Sequence, residues 1–112
     1  MNRTKLWLIL VVAASALGVS LSVLADEDAA LVSIEKYKYI PAEVTVKVGE
    51  TVRWVNNEKR QYHSVWFEES GAEPSEYFFP DETYERTFDN VGAFPYTCEP
   101  HPEMKGIVHV VK

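Results

Sequence analysis

The chain has 112 residues, one cysteine and a formal charge of −6, from 17 Asp and Glu against 11 Lys and Arg. That length supports a single domain, and an acidic chain without a basic stripe is not a nucleic-acid binder. The lone Cys98 rules out an internal disulfide framework and a binuclear centre bridged by two thiolates, and it argues against the paired Cys-x-x-Cys units that structural zinc favours.

The first 25 residues differ in composition from the rest. Arg3 and Lys5 give a basic start, Leu6 to Leu17 are nearly all apolar, and Val23-Leu24-Ala25 ends on a small residue of the kind a signal peptidase reads. This pattern predicts a signal peptide over 1–25, cleaved after Ala25, and export to the periplasm. No twin-Arg pair is present, so the general export route is expected. The alternative is an uncleaved membrane anchor, because Leu6 to Leu24 is 19 residues without a charge. Cleavage leaves 87 residues with no stable membrane insertion, and the loss of Arg3 and Lys5 takes the formal charge to −8. Export also places Cys98 where a lone thiol oxidises unless a metal or another chain occupies it.

Residues 26–30 are acidic, lack large apolar side chains and read as a solvated tail before a domain over 31–112. Leu31 to Glu35 begins the first strand; Lys36 to Ile40 continues in strand-like aromatics until Pro41, which marks an edge, a bend or an end. Glu43 to Val48 alternates, with Val44, Val46 and Val48 on one face. Gly49-Glu50 is a turn, and Thr51 to Asn56 reads as the partner strand of a hairpin-like connection. A polar loop over 57–61 leads to His63 and a short apolar strand, Val65-Trp66-Phe67. Glu68 to Glu76 is an exposed connection with Gly71 and Pro74. Tyr77 to Pro80 turns apolar again and covers a flank of the core. Thr83 to Phe88, Ala93 to Cys98 and Ile107 to Val111 complete about seven short β segments. With no long 3.6-residue periodicity after residue 25, the expected class is an all-β sandwich.

Cys98, His101 and Met104 stand at three-residue intervals in Tyr96-Thr97-Cys98-Glu99-Pro100-His101-Pro102-Glu103-Met104. Pro100 and Pro102 forbid a helix, so the segment is expected to be a loop that folds its side chains around one ion. A thiolate, an imidazole and a weak thioether suit a soft, easily reduced metal, and His63 is the candidate for the second imidazole of a blue copper electron-transfer centre. His109 alternates with Val108 and Val110 on the last strand and is expected to face solvent, away from such a site.

Trp54-Val55-Asn56, His63 and the Cys98-x-x-His101-Pro102-x-Met104 loop followed by Gly106 together resemble the cupredoxin (type 1 blue copper) family, in its amicyanin- and plastocyanin-like branch. The likeness runs from about Ile34 to Lys112. It implies a Greek-key β-sandwich with the copper loop at one end, and one copper ion cycling between Cu(II) and Cu(I) on His63, Cys98 and His101, with Met104 as the weak axial ligand. It also implies an electron port at His101, and redox protein partners such as a c-type cytochrome or a dehydrogenase, with a monomer as the default. Three departures stand out, the first being a gap from Trp54 to His63 that is one residue longer than in the amicyanin-like pattern. Ser64 occupies a position where the family commonly has Asn, keeping the backbone donor with a shorter side chain. Glu99 and Glu103 put carboxylates beside His101 where the family surface is largely apolar, which favours a basic docking surface on the partner. An alternative is a copper carrier or buffer without electron transfer; another is an enzyme with an open coordination position.

Overall fold

The computed structural model describes residues 29–112. The signal peptide over 1–25 and residues 26–28 of the acidic tail lie outside the described residues. Among those described there are seven strands and one short 3₁₀ turn, Glu68–Ser70. β1 (Ala30–Glu35) starts within the expected tail, with Ala30 already paired to Val52. It is followed by β2 (Lys38–Ile40), β3 (Glu43–Lys47), β4 (Thr51–Asn56), β5 (Thr83–Thr87), β6 (Gly92–Cys98) and β7 (His101–Val111).

Two sheets face each other, a four-stranded one in the order β2-β1-β4-β5 and a three-stranded one in the order β3-β7-β6. The chain changes sheet after β2, β3 and β5, which gives the Greek-key sandwich. Period-2 alternation explains the core: Val32 and Ile34 from β1, Val52 and Trp54 from β4, and Val108 and Val110 from β7 are all buried. Trp54 sits at its centre, with ring centroids 5.4 Å from Tyr96 and 6.2 Å from Phe67. Gly106 pairs with Tyr96, whose ring lies over the glycine and fills the space that any side chain there would need.

Four expectations are corrected. β3 and β4 do not form a hairpin. β3 runs parallel to β7 and β4 parallel to β1, so the turn at Gly49-Glu50 carries the chain from one sheet to the other. Val48 lies beyond the end of β3 and is exposed, unlike Val46. Val65 to Phe67 makes only an isolated bridge, Trp66 to Thr97, while Val65 and Phe67 are buried by packing. Finally, the segment from Cys98 to Met104, expected to be a loop throughout, is a tight turn at Glu99-Pro100 that runs straight into β7. Cys98 pairs with His101, where β7 already begins, and the register then jumps to Thr97 opposite Lys105. Pro102, Glu103 and Met104 therefore have no partner on β6. A proline is tolerated there because no ladder donor is required of it.

Candidate metal centre

The β6–β7 turn, the segment around His63 and the tip of the β1–β2 hairpin meet at one end of the sandwich. Cys98 Sγ lies 3.6 Å from His63 Nδ1 and 3.6 Å from His101 Nδ1. The ligand atoms of these three residues all fall within 4.8 Å of one another. Cys98 and His63 are fully buried and His101 is half-buried. Met104, also buried, belongs to the same packed cluster as Cys98. His109 is elsewhere, on the outer face of β7 with Glu43 Oε1 at 3.1 Å from its Nε2, as its alternation with two buried valines predicts.

Cys98 is a free thiol. Burial pushes its pKa up, and this is opposed by hydrogen bonds from the Ser64 backbone and hydroxyl, from His101 and from Tyr39. Ser64 N–H donates to Sγ at 3.3 Å. The short side chain of Ser64 still links the two segments, since Glu99 N–H donates to Ser64 Oγ at 2.8 Å and the hydroxyl lies 4.0 Å from Sγ. Tyr39 closes the floor by donating its hydroxyl to Ser64 O at 2.8 Å.

His63 is held by Glu58, from the polar loop over 57–61. Glu58 Oε2 is 2.9 Å from His63 Nε2. A carboxylate at this distance accepts the Nε2 proton and so leaves Nδ1 with its lone pair directed towards Cys98. Burial lowers the pKa of His63, and nearby His101 lowers it further, while Glu58 works the other way. The net direction favours the neutral imidazole that a metal requires. Burial alone would raise the pKa of Glu58, but hydrogen bonds from the backbone of Tyr37, the ring of His63 and the backbone of Lys36 outweigh it, and the carboxyl is held below its ordinary range.

Asn56, fully buried at the end of β4, organises this loop. Its Nδ2 donates to Gln61 O at 2.8 Å and to Phe78 O at 3.0 Å, while its Oδ1 accepts Glu58 N–H at 2.9 Å. The second residue missed from sequence is Tyr37, at the hairpin tip. Its ring stands edge-on to both imidazoles, 4.9 Å from His101 and 5.5 Å from His63 between centroids. The available signals were that Glu58 is the one acid between Asn57 and Gln61, and that Lys36-Tyr37 falls between two strand-like runs.

Two imidazole nitrogens and one thiol sulfur, converging from separate segments in a buried pocket, make a soft donor set suited to copper. A small β-sandwich carrying such a set at one end defines a copper protein of the cupredoxin class. The family model of the copper-binding proteins of the plastocyanin/azurin family matches residues 27–111, and the chain belongs to that family. It is 45% identical to an amicyanin of Paracoccus versutus over 87 residues, which is 74% of this chain and 65% of that protein. It is 41% identical to a plastocyanin of Scenedesmus fuscus over 81 residues, which is 62% of this chain and 83% of its relative. The crystal structure of amicyanin from Paracoccus versutus superposes with a TM-score of 0.69 at 42% identity, covering 75% of this chain and 82% of that one. The chain thus spans just under two thirds of the length of the first of these relatives. Copper is the metal of the family, and the donor chemistry of this pocket fits it.

Proposed function

We propose that the protein is an exported mononuclear blue copper protein that carries single electrons between larger redox proteins. His63, Cys98 and His101 are the strong ligands in this reading, and Met104 is the weak axial one. The observation that carries it is the convergence of Cys98 Sγ on two imidazole Nδ1 atoms, each at 3.6 Å, in a buried site. When bound, copper supplies a one-electron couple between the cupric and cuprous states. The residues of the chain hold the donors in place through either state: Glu58 keeps Nδ1 of His63 free, Ser64 and Tyr39 brace the thiol, and the core beneath excludes water. A donor set that need not rearrange favours electron exchange over turnover of a substrate, so the protein is read as a carrier and not an enzyme.

His101, half-buried at the rim, is the electron port. Exposed Glu99 and Glu103 flank it, with the exposed aromatic side chains of Tyr37, Tyr77 and Phe79 nearby. This mixture suits a redox protein with a basic docking surface, such as a c-type cytochrome or a dehydrogenase, met by a monomer of this chain. The N-terminal pattern supports residues 1–25 as a signal peptide, 26–30 as a tail and 31–112 as the copper domain in the periplasm. No helix among the described residues is long and apolar enough to cross a membrane.

An optical titration with cupric ion tests the site. An intense visible thiolate-to-copper band, saturating at a single ion per chain and absent from Cys98→Ser, is the expected result. Copper binding without that band overturns the electron-carrier reading and leaves a copper-delivery role in its place.

A further inference from the structure

The tip of the β1–β2 hairpin is strained at the point where it touches the site. Glu35 pairs with Lys38, so Lys36 and Tyr37 form a two-residue turn, with φ of 53° and 61°. Tight turns of this kind need positive φ at both central residues, and Asn or Gly usually supplies it. A bulky side chain in that region is uncommon and carries a steric cost. The conformation is held by Glu58, whose carboxylate accepts the N–H of Lys36 at 3.2 Å and of Tyr37 at 2.8 Å. The same carboxylate holds His63 through Nε2 at 2.9 Å. One acid thus ties the strained tip to one of the two imidazoles.

The effect of the strained geometry is to seat an aromatic ring against both histidines. The rings of Tyr37, His63 and His101 form a triangle with centroid distances of 4.9, 5.5 and 5.0 Å and interplanar angles of 85°, 88° and 62°. On another side of His101 the ring of Tyr62 lies 6.4 Å away at an angle of 49°, a longer contact than that of Tyr37. His63 is fully buried and already fixed by Glu58, so His101 is the donor with freedom to move. Turning away from Cys98 takes it out of contact with the rings packed on it, of which Tyr37 is the nearer.

We propose that Tyr37 is a positioning residue that locks the two imidazoles against the thiol and thereby makes release of copper slow. A tyrosine in a turn position where Gly would be relaxed is otherwise without a benefit, because Tyr37 is itself 39% exposed and contributes little to the core. The lock suits a protein that keeps its metal and moves only electrons. It rests on the copper-site reading above.

The test uses the full chain, loaded with copper, as wild type, Tyr37→Gly and Tyr37→Phe. Glycine relieves the positive-φ cost while deleting the ring, and phenylalanine keeps the ring. Each protein is reduced with ascorbate and mixed with excess bicinchoninate, a cuprous chelator, and formation of the coloured chelate is followed. Tyr37→Gly is expected to release copper about tenfold faster, on the scale of losing an edge-to-face aromatic pair. Its metal-free unfolding midpoint should be equal to or above that of the wild type, and Tyr37→Phe should release copper at the wild-type rate. Equal release from Tyr37→Gly and wild type overturns the lock, as does release from Tyr37→Phe as fast as from Tyr37→Gly. Faster release accompanied by a lower metal-free midpoint makes the role structural and also overturns it. If wild type itself shows no intense visible band on adding copper, the copper-site reading has failed, and that is seen before any chelator is present.

Discussion

The two ends of the sandwich are closed in different ways. At the end away from the metal site most of the bonds are main-chain: Gly49 N–H donates to Phe88 O at 2.7 Å, Phe88 N–H to Glu50 O at 3.0 Å, and Val48 N–H to Val111 O at 2.9 Å, with the Glu50 carboxylate adding one by accepting Lys47 N–H at 2.6 Å. At the site end the closure depends on particular side chains. Asn56, Glu58, Ser64 and Tyr39 each bond a backbone group of another segment, and Glu58 and Ser64 also bond a candidate ligand. Backbone closure can be made by many sequences with a suitable turn residue. Side-chain closure specifies a donor geometry, and a single substitution can undo it.

The sharpest way to break this contrast is to remove the side chain that most of the site end depends on. Asn56→Ala deletes three hydrogen bonds in a fully buried position and leaves the Gln61 and Phe78 carbonyls each short of a partner. A loss of roughly 3 kcal/mol in metal-free stability is expected by denaturant titration, since each bond contributes about 1 kcal/mol. Because Glu58 loses its anchor, the visible copper band should shift or broaden in the protein that still folds. An unchanged spectrum would show that the loop is held independently of Asn56.

At the other end the same logic predicts a smaller effect confined to stability. Gly49 has φ of 91°, and a Cβ added there would have no neighbour within 4 Å, so Gly49→Ala meets backbone strain without a clash. A cost of about 1 kcal/mol is expected, with the copper spectrum and the rate of copper release unchanged. A spectral change from this position would mean that the two ends are coupled through the core and that the contrast does not hold.

The same division marks what could be read from the sequence. Period-2 burial made the strands legible, because Val32, Ile34, Val52, Trp54, Val108 and Val110 alternate with less buried neighbours. Cys98, His101 and Met104 were legible because their chemistry is unusual at that spacing, and His63 because one more imidazole was needed. Sheet membership was not. Gly49-Glu50 has the local signature of a hairpin, and only the non-local pairing of β3 with β7 shows that it crosses between sheets. Glu58 and Tyr37 were missed for a related reason. Each acts on a residue from another segment, and neither a loop glutamate nor a strand-end tyrosine announces the neighbour it will meet.

The smallest effect expected is on the pH dependence of the metal-free protein, and it too belongs to the site end. His63 has its pKa lowered from an ordinary value of 6.5 by burial, with Glu58 opposing. Between the folded value and 6.5 the unfolded chain therefore binds more protons than the folded one, and stability falls as pH drops through that window. Glu58, whose folded pKa lies below its ordinary 4.5, adds stability that is present above 4.5 and lost as pH falls through the folded value. The two losses have the same sign, and the histidine's sets in first as pH falls, from about 6.5, with the glutamate's following from about 4.5. Unfolding midpoints measured from about pH 8 downwards should therefore be flat to about pH 6.5, then decline, and steepen again below about pH 4.5. In Glu58→Gln the His63 imidazole loses the carboxylate that favours its proton, so its folded pKa falls further and the first decline becomes deeper, while this residue's part of the second disappears. A first decline that is unchanged in Glu58→Gln would show that the carboxylate does not govern the protonation of His63, and that burial alone keeps the imidazole neutral.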